Sequence, residues 1–316
     1  MATVDATTRH LAAADATPKG TRISLRRREA IQGYLFIFPA VLGFLLWTAY
    51  PMIRSLWISL HEWDLLTTAE WVGFGNYQKA WDDPLFWKSL RVTFAYVLVF
   101  VPLFQILSFF IALLLNVNVR AIAFFRTAFY LPTIMPVVAS SVLWTWVFNS
   151  EFGLLNAALR EFGVKKILWL QDPSYALPAL IVMSLWTFGA TMVIYLAGLQ
   201  GIPQHLYEAA SIDGASPLRK LWDVTIPLMS PVIFFNLVLG LISGMQTFTQ
   251  AYIITNGGPS NSTLFYALYL YRKAFTEFQM GYASALAWIL FGIILVFSTV
   301  VFRSYGRMVY YEDEAN

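Results

Sequence analysis

The chain of 316 residues contains no cysteine, and this absence excludes disulfides and thiolate metal sites. Its three histidines, His10, His61 and His205, stand singly, without the spacing of metal ligands. The sequence also lacks the Gly-x-x-x-x-Gly-Lys-[Ser/Thr] pattern that cradles nucleotide phosphates, and no Ser/His/Asp or paired-carboxylate constellation stands at a plausible membrane-facing site. We therefore expect no catalytic residue, no bound metal and no cofactor in this chain, and we do not expect an enzyme.

Charge is scarce as well. Only 12% of the residues are charged, whereas 58% are hydrophobic, 17% are aromatic and the mean hydropathy is +0.61. An ordinary soluble domain carries about twice that charged fraction. The composition predicts an all-α polytopic membrane protein embedded in the lipid bilayer. The small net charge of +3 gives no support to a nucleic-acid partner.

Six apolar stretches are each long enough for a helix across the bilayer, which takes about 20 residues. We place these six transmembrane helices at 31–60, 90–115, 124–148, 177–200, 231–254 and 282–303. None of them contains Asp, Glu, His or Lys, which argues against a transporter coupled to protons or sodium through intramembrane carboxylates. In the third stretch, Pro132 and Pro136 should bend the helix.

Basic residues predict which ends of the helices face the cytoplasm. Arg26, Arg27 and Arg28 precede the first span, and Arg120 lies between the second and third. Basic loops are retained inside, so we expect both termini to be cytoplasmic in a bacterial-type inner membrane. The chain then has three parts, which are a disordered basic segment at 1–30, a transmembrane domain at 31–303 with a cytoplasmic loop at 203–230 between the fourth and fifth spans, and a cytoplasmic tail at 304–316.

That cytoplasmic loop is polar, and its pattern predicts two short helices. Gly214 supplies a left-handed stop for the first helix. Ser216 is a candidate N-cap and Pro217 suits the first position of the next helix, which should therefore start at once. Pro227 and Pro231 should break the chain again.

The first of the two helices combines small residues with two carboxylates. Ala209 and Ala210 allow another backbone or a pocket wall to approach closely, and Glu208 and Asp213 add negative charge to a compact surface. By itself this is also the composition of an ordinary helical loop.

A row of neutral polar side chains marks the fifth span. Ser243, Gln246, Thr247 and Gln250 follow three-, four- and seven-residue steps and should share one face of a continuous helix. Two interpretations remain open. The row either joins this helix to its neighbours by hydrogen bonds, or it lines a path for hydroxyl-rich solutes.

Two loops outside the spans have distinctive sequences. Residues Gly73–Tyr77 and Asp83–Trp87 have the Gly, Asn, Asp-Pro and aromatic content of a compact, ordered loop. After the fifth span, Asn256–Pro259 predicts a tight turn.

Taken together, these motifs resemble a known family. Glu208-Ala209-Ala210, followed after three residues by Gly214 and after eleven more by Ile226-Pro227, resembles the loop motif of permease subunits in binding-protein-dependent ABC importers. The carbohydrate branch of that family, with its maltose and glycerol-3-phosphate type of first permease subunit, is similar at Gly73–Tyr77, Leu131-Pro132, Trp144–Asn149 and Asn256–Pro259. One departure is mild, because Val224-Thr225 precedes Ile226-Pro227 where the family more often has Ile-x-Leu-Pro.

The resemblance implies a function and a set of partners. The loop would form a coupling helix in a cleft of a cytoplasmic ATPase, with the coupling residues Glu208, Ala209, Ala210, Asp213 and Gly214. The partners would be a second permease in a heterodimer, two ATP-binding subunits that hold ATP and Mg²⁺, and an extracytoplasmic solute-binding protein. The solute would be a sugar or a sugar-like molecule.

Two alternatives stay open. A permease of the same fold for glycerol-3-phosphate, an amino acid or a peptide should place basic residues along the path, yet arginines such as Arg54, Arg91 and Arg126 lie near the ends of the spans. A passive channel or a scaffold would leave the coupling motif without a role.

Overall fold

The computed structural model describes residues 25–117 and 120–305. The chain divides into two compact units, Met1–Ser55 and Leu56–Asn316. Within the described residues the structure is helical apart from turns, loops and one two-stranded hairpin, so the predicted all-α class is confirmed.

The described residues form fourteen α-helices, which we number α1 to α14. Their bounds in chain order are Leu25–Phe44, Tyr50–Ser59, Gly75–Asp82, Pro84–Leu115, Ile122–Ile134, Val137–Val147, Leu154–Glu161, Pro173–Leu185, Gly189–Gln200, Gln204–Ile212, Pro217–Lys220, Ile226–Met245, Tyr266–Tyr271 and Met280–Tyr305. Short π-helical turns occupy Leu45–Ala49, Leu221–Thr225, Ala251–Thr255 and Arg272–Thr276. The antiparallel hairpin pairs β1 (His61–Glu62) with β2 (Glu70–Trp71).

Several of these helical runs are candidates for membrane spans. Among the described residues, four runs are long and apolar enough to cross a bilayer, and they are Arg26–Ser59, Pro84–Leu115, Pro217–Met245 and Met280–Ser304. The pairs α5 with α6 and α8 with α9 reach that length only if each bent pair is one span. The count is therefore four to six, and six spans stays a prediction.

The two bent pairs have different causes. Helices α5 and α6 meet at 96° at Met135 and Pro136, where the bend was predicted from proline. Helices α8 and α9 meet at 48° without a proline at the break, so this bend was not predicted. Gly189 begins α9 there, and a Cβ on it would lie 2.6 Å from the Phe129 carbonyl oxygen. Close packing of α9 on α5 therefore accompanies this bend.

Two helices begin earlier than predicted. Helix α1 begins at Leu25, inside the segment expected to be disordered, while residues 1–24 and 306–316 lie outside the described residues. Helix α4 begins at Pro84 because the Asp83 carboxylate accepts a hydrogen bond from the Leu85 backbone N–H at 2.8 Å and so caps the helix.

The predicted breaks at Pro227 and Pro231 are wrong, because the helical run Pro217–Met245 passes through both prolines. Ahead of Pro227, the π-turn pairs the Ile226 N–H with the carbonyl of Leu221, five residues back. Pro231 cannot donate to the carbonyl of Pro227, and the Ser230 hydroxyl donates to that oxygen instead at 2.7 Å. Local substitutes for the lost hydrogen bonds keep the helix continuous.

Helix α4 is the central element of the unit Leu56–Asn316, because α8, α9, α12 and α13 all pack against it. Two buried tyrosines join these helices. The Tyr96 hydroxyl donates to Ser184 Oγ at 2.7 Å, and the Tyr195 hydroxyl donates to Gln105 Oε1 at 2.8 Å. Because an unpaired polar group costs free energy in apolar surroundings, these pairs favour one arrangement of α4 against α8 and α9.

The turn after the fifth span is confirmed. Asn256 and Gly257 both have left-handed backbone, with φ of +42° and +76°. The chain then forms α13, where the Tyr266 backbone N–H donates to Thr93 Oγ1 at 2.8 Å and the Tyr266 hydroxyl donates to the Leu286 carbonyl at 2.8 Å. These bonds hold α13 between α4 and α14.

Candidate coupling segment and solute cavity

The coupling segment, defined as residues 203–225, has the local structure that its sequence predicts. Helix α10 ends at Ile212, and Gly214, just past its C-cap Asp213, has a left-handed φ of +75°. The N–H of Ala215 donates back to the Ala210 carbonyl at 2.9 Å and closes the helix end. Ser216 Oγ then accepts from the Arg219 N–H, and Pro217 takes the first position of α11.

Side-chain contacts join α10 to the chain that follows it. Lys220 Nζ donates to Ser211 Oγ at 2.6 Å, and the hydroxyls of Tyr207 and Thr225 lie 3.0 Å apart. From Pro217 onwards the backbone is helical into α12, so no flexible linker separates the coupling segment from that long helix. Helix α10 is thus joined to α12 by side-chain contacts and by helical backbone from Pro217 onwards.

The predicted coupling residues lie at the surface of this segment. Glu208, Ala209, Asp213 and Gly214 are exposed, and Ala210 is half-buried. Three large apolar residues that the sequence did not single out are exposed beside them, and they are Ile212 (87% exposed), Leu218 (64%) and Trp222 (61%). Ile212 ends α10, and Leu218 and Trp222 are four residues apart in the next helical stretch, a spacing that a buried helix face also shows. Exposed apolar side chains close together are typical of surfaces that contact another protein or a membrane.

A second candidate site is a cavity of about 210 Å³ between α4, α8 and the end of α12. Its polar lining comes from two parts of the chain. Ser243, Thr247 and Gln250 belong to the end of α12 and the residues after it, and Ser184 and Thr187 belong to the end of α8 and the residues after it. The fourth member of the predicted row, Gln246, is exposed and is not among the lining residues. The structure thus brings three of the four predicted path residues to one cavity.

The predicted continuous helix through this row is wrong. Helix α12 ends at Met245, Gln246 follows as its C-cap with a φ of −99°, and a further helical turn begins only at Thr249. The Ser243 hydroxyl donates to the Leu239 carbonyl at 2.8 Å, and its oxygen keeps lone pairs for a further partner. The break separates Gln246 from the cavity.

Aromatic rings form part of the cavity lining. Tyr96 and Phe100 are stacked with centroids 4.9 Å apart and planes at 17°, and Phe104 follows with its centroid 5.0 Å from that of Phe100. Four-residue steps place all three rings in one row along α4. The cavity therefore offers ring surfaces and neutral hydroxyl or amide groups, and none of its lining residues is Asp, Glu, His, Lys or Arg.

The segment before α4 is ordered, as predicted, but it is not a loop throughout, because residues 75–77 begin α3 and residues 84–87 begin α4. Asn76 Nδ2 donates to the backbone carbonyls of Ser59 and His61, both at 2.9 Å. Gly281, at the start of α14, fits tightly against β1, since a Cβ there would lie 1.9 Å from the His61 carbonyl oxygen. A cleft of about 450 Å³ opens beside this contact, and its lining includes Glu62 and Glu70.

Asp83 joins this region to α13 and α14. Its carboxylate accepts hydrogen bonds from the hydroxyl of Tyr269 and, at 3.0 Å, from that of Tyr282. Burial acts to raise the pKa of the Asp83 carboxyl, but hydrogen bonds from Tyr269, the Leu85 backbone and Tyr282 outweigh burial and hold this pKa below its ordinary value. The carboxylate is thus ionised at neutral pH.

Comparisons with known proteins identify the family of this chain. The family described as binding-protein-dependent transport system inner membrane component matches residues 84–309. The chain is 44% identical to the probable ABC transporter permease YesP of Bacillus subtilis, over 95% of this chain and 98% of YesP. It is 33% identical to SmoG, a permease of the sulfoquinovosyl glycerol transport system of Agrobacterium fabrum, over 87% and 90% of the two chains.

Solved structures agree on the fold. The chain matches a bacterial ABC transporter that imports the acidic polysaccharide alginate, with a TM-score of 0.79 and 21% identity, over 90% of this chain and 98% of that chain. Another structure of the alginate transporter contains a periplasmic protein with a bound alginate pentasaccharide. The present chain is therefore a membrane-embedded transport component rather than an enzyme, and it belongs to the family of binding-protein-dependent transport system inner membrane components.

Proposed function

We propose that this chain is one permease subunit of an ATP-driven importer for a sugar or a sugar-like solute in a bacterial-type inner membrane. An extracytoplasmic binding protein delivers the solute, a second permease completes a heterodimer, and two ATPase subunits bind ATP and Mg²⁺. Both termini and the coupling segment face the cytoplasm in this arrangement. The similarity to SmoG, which is named for transport of sulfoquinovosyl glycerol, and the coupling motif support the proposal.

One observation carries the proposal. The helical run Pro217–Met245 begins in the coupling segment and ends at the cavity, where Ser243 is a lining residue. At 1.5 Å per residue its 29 residues span about 44 Å, which is longer than the hydrocarbon thickness of a bilayer. One continuous helical run therefore links the surface that would contact the ATPase to the cavity that would hold the solute.

The proposed mechanism comes from the family resemblance, and the continuous helical run is compatible with it. ATP-driven closure of the two ATPase subunits moves Glu208, Asp213 and Gly214 with the cleft that holds them. The motion passes along α12 and shifts the wall formed by Ser243 relative to the aromatic row on α4. The cavity then changes from inward-facing to outward-facing access, as alternating access requires.

The cavity chemistry favours an uncharged, hydroxyl-rich solute. Ser243, Thr247 and Gln250 offer hydrogen-bonding groups to sugar hydroxyls, and the half-buried Phe100 and Phe104 offer ring surface to the apolar faces of a pyranose. A phosphate or carboxylate would be bound best by a cation, and the lining provides none.

The test is uptake by the complete transporter in proteoliposomes that contain ATP. We expect ATP-dependent accumulation of a neutral mono- or oligosaccharide in the presence of its binding protein. Glycerol-3-phosphate, amino acids and short peptides serve as comparison solutes. Accumulation of a charged solute alone would contradict the proposed specificity, and uptake that continues without ATP would identify a passive channel.

A further inference from the structure

The segment between α6 and α8 folds around one buried side chain. Asn156, in α7, is only 4% exposed. Its Nδ2 donates to the carbonyls of Ser150 and Ile167, and its Oδ1 accepts from the Ile167 N–H and from Trp169 Nε1, all between 2.8 and 3.3 Å. A single amide therefore uses all of its hydrogen-bonding groups to hold this segment in one shape.

The outer side of this rigid segment is apolar. Leu154, Ala158 and Phe162 are exposed and follow one another at four-residue steps, so they form a row along α7. Phe162 is 83% exposed. Phe152 and Leu168, on either side of α7, are exposed as well. Contact with water would disfavour this exposed apolar surface.

Charge flanks the apolar row. Residues 152–168 contain Arg160, Lys165 and Lys166 against Glu161 as their one carboxylate. Lys166 forms an ion pair with Glu151, whereas the part of the chain that the structure describes contains no ion pair to Arg160 or Lys165. Two cations therefore remain available to an anionic partner.

The position of the segment indicates which partner this is. It joins α6 to α8, which belong to the two bent apolar pairs. Trp146, near the end of α6, is exposed, and its ring lies 6.4 Å from that of Phe152. Tryptophan at the end of an apolar helix is typical of the membrane–water interface. The exposed rings of Trp146 and Phe152 therefore connect the end of α6 to the start of the segment that carries the apolar row.

We propose that residues 152–168 form an interfacial lipid-binding element. Leu154, Ala158 and Phe162 enter the boundary between acyl chains and headgroups, and Arg160 and Lys165 bind the phosphates of anionic lipids. An apolar face beside basic residues on a short helix is the combination that binds in this layer. The element would anchor α7 against the bilayer while the spans move.

The absence of cysteine allows a direct test in the assembled transporter in lipid nanodiscs. An environment-sensitive fluorophore is attached at Phe162→Cys. Glu161→Cys is the matched control, because residue 161 is not a member of the four-residue row that Phe162 belongs to. At 162 we expect blue-shifted emission, quenching by lipids that carry a nitroxide near the carbonyls, and shielding from an aqueous quencher. At 161 we expect stronger aqueous quenching and weaker lipid quenching.

Phosphatidylglycerol tests the charges. Adding this anionic lipid to phosphatidylcholine nanodiscs should strengthen lipid quenching at 162. Substitution of both exposed cations, Arg160→Gln with Lys165→Gln, should abolish that increase. Equal aqueous quenching at 161 and 162 would overturn the proposal. Shielding at 162 without lipid quenching, or only after the solute-binding protein is added, would assign the surface to a protein. Uptake is not the readout, so failure here leaves the transport proposal standing.

Discussion

Gly214 offers the sharpest perturbation of the coupling segment. Its φ is +75°, and a Cβ on it would meet no described atom within 4 Å. The chain itself therefore has room for a side chain, and the cost is the left-handed backbone alone, about 1–2 kcal/mol for alanine and less for asparagine, which adopts this conformation more readily. We expect Gly214→Asn to insert into the membrane and to assemble with the second permease.

We nevertheless expect Gly214→Asn to weaken binding of the ATPase subunits. If Gly214 lies in the close-packed ATPase cleft, the added side chain overpacks that contact at about 1–3 kcal/mol, which corresponds to about 5- to 150-fold weaker binding of the ATPase. ATP-dependent uptake in proteoliposomes and capture of the ATPase subunits in detergent measure the two effects. The thermal midpoint of the permease reports on its folding.

Gly163 provides a matched control. Its φ is +73°, and a Cβ there also meets open space, but it follows α7 rather than α10. Gly163→Asn therefore imposes the same backbone cost away from the coupling segment. Equal loss of uptake in both variants would attribute the effect to backbone strain. Full uptake by Gly214→Asn would refute close contact between this glycine and the ATPase.

Three further predictions concern the rest of the chain. Gly281→Ala should sharply reduce the yield of folded protein, because its Cβ would lie 1.9 Å from the His61 carbonyl oxygen. Thr247→Val should lower uptake more than Gln246→Leu does, since only the threonine lines the cavity. The stability contributed by the lowered pKa of Asp83 is present in full above its ordinary pKa of 3.8 and is lost as pH falls through the lower folded value. Thermal unfolding of Asp83→Asn should therefore depend less on pH below about 4.

Each of these predictions has a control or a contrary result. Gly198→Ala adds a Cβ 2.9 Å from the end of the flexible Met229 side chain, so it should cost much less than Gly281→Ala. Normal uptake by Thr247→Val would remove that hydroxyl from the solute path. An identical acid response in Asp83→Asn and the unmodified protein would mean that other carboxylates control acid stability.

The coupling segment could be predicted because its structure depends on local chain chemistry. The left-handed stop at Gly214 and the cap at Ser216 follow from the backbone preferences of those residues and their immediate neighbours. The bend at Pro136 has the same kind of local cause, whereas Asn76 is held by hydrogen bonds to Ser59 and His61, which are distant in the chain. Composition alone was sufficient for the membrane class.

The remaining features depend on contacts that a linear pattern does not contain. The continuity of α12 through Pro231 relies on a hydroxyl from Ser230 that replaces a lost donor. The helix break at Gln246 and the bend before Gly189 accompany packing against other helices. The exposure of Ile212 was missed because hydrophobic periodicity in the sequence does not distinguish a buried apolar face from an exposed one.

The most direct test of the account is a cross-link between the coupling segment and the ATPase. Ser211 is exposed on α10, and Ser211→Cys introduces the one thiol of an otherwise cysteine-free chain. Thr68→Cys, in the exposed loop between β1 and β2 that we propose to be extracytoplasmic, is the control. The account predicts that the thiol at 211 cross-links to the ATPase subunit in membranes, that ATP alters the yield, and that position 68 does not react. Absence of the cross-link at 211 in a correctly inserted, assembled complex would contradict the coupling role.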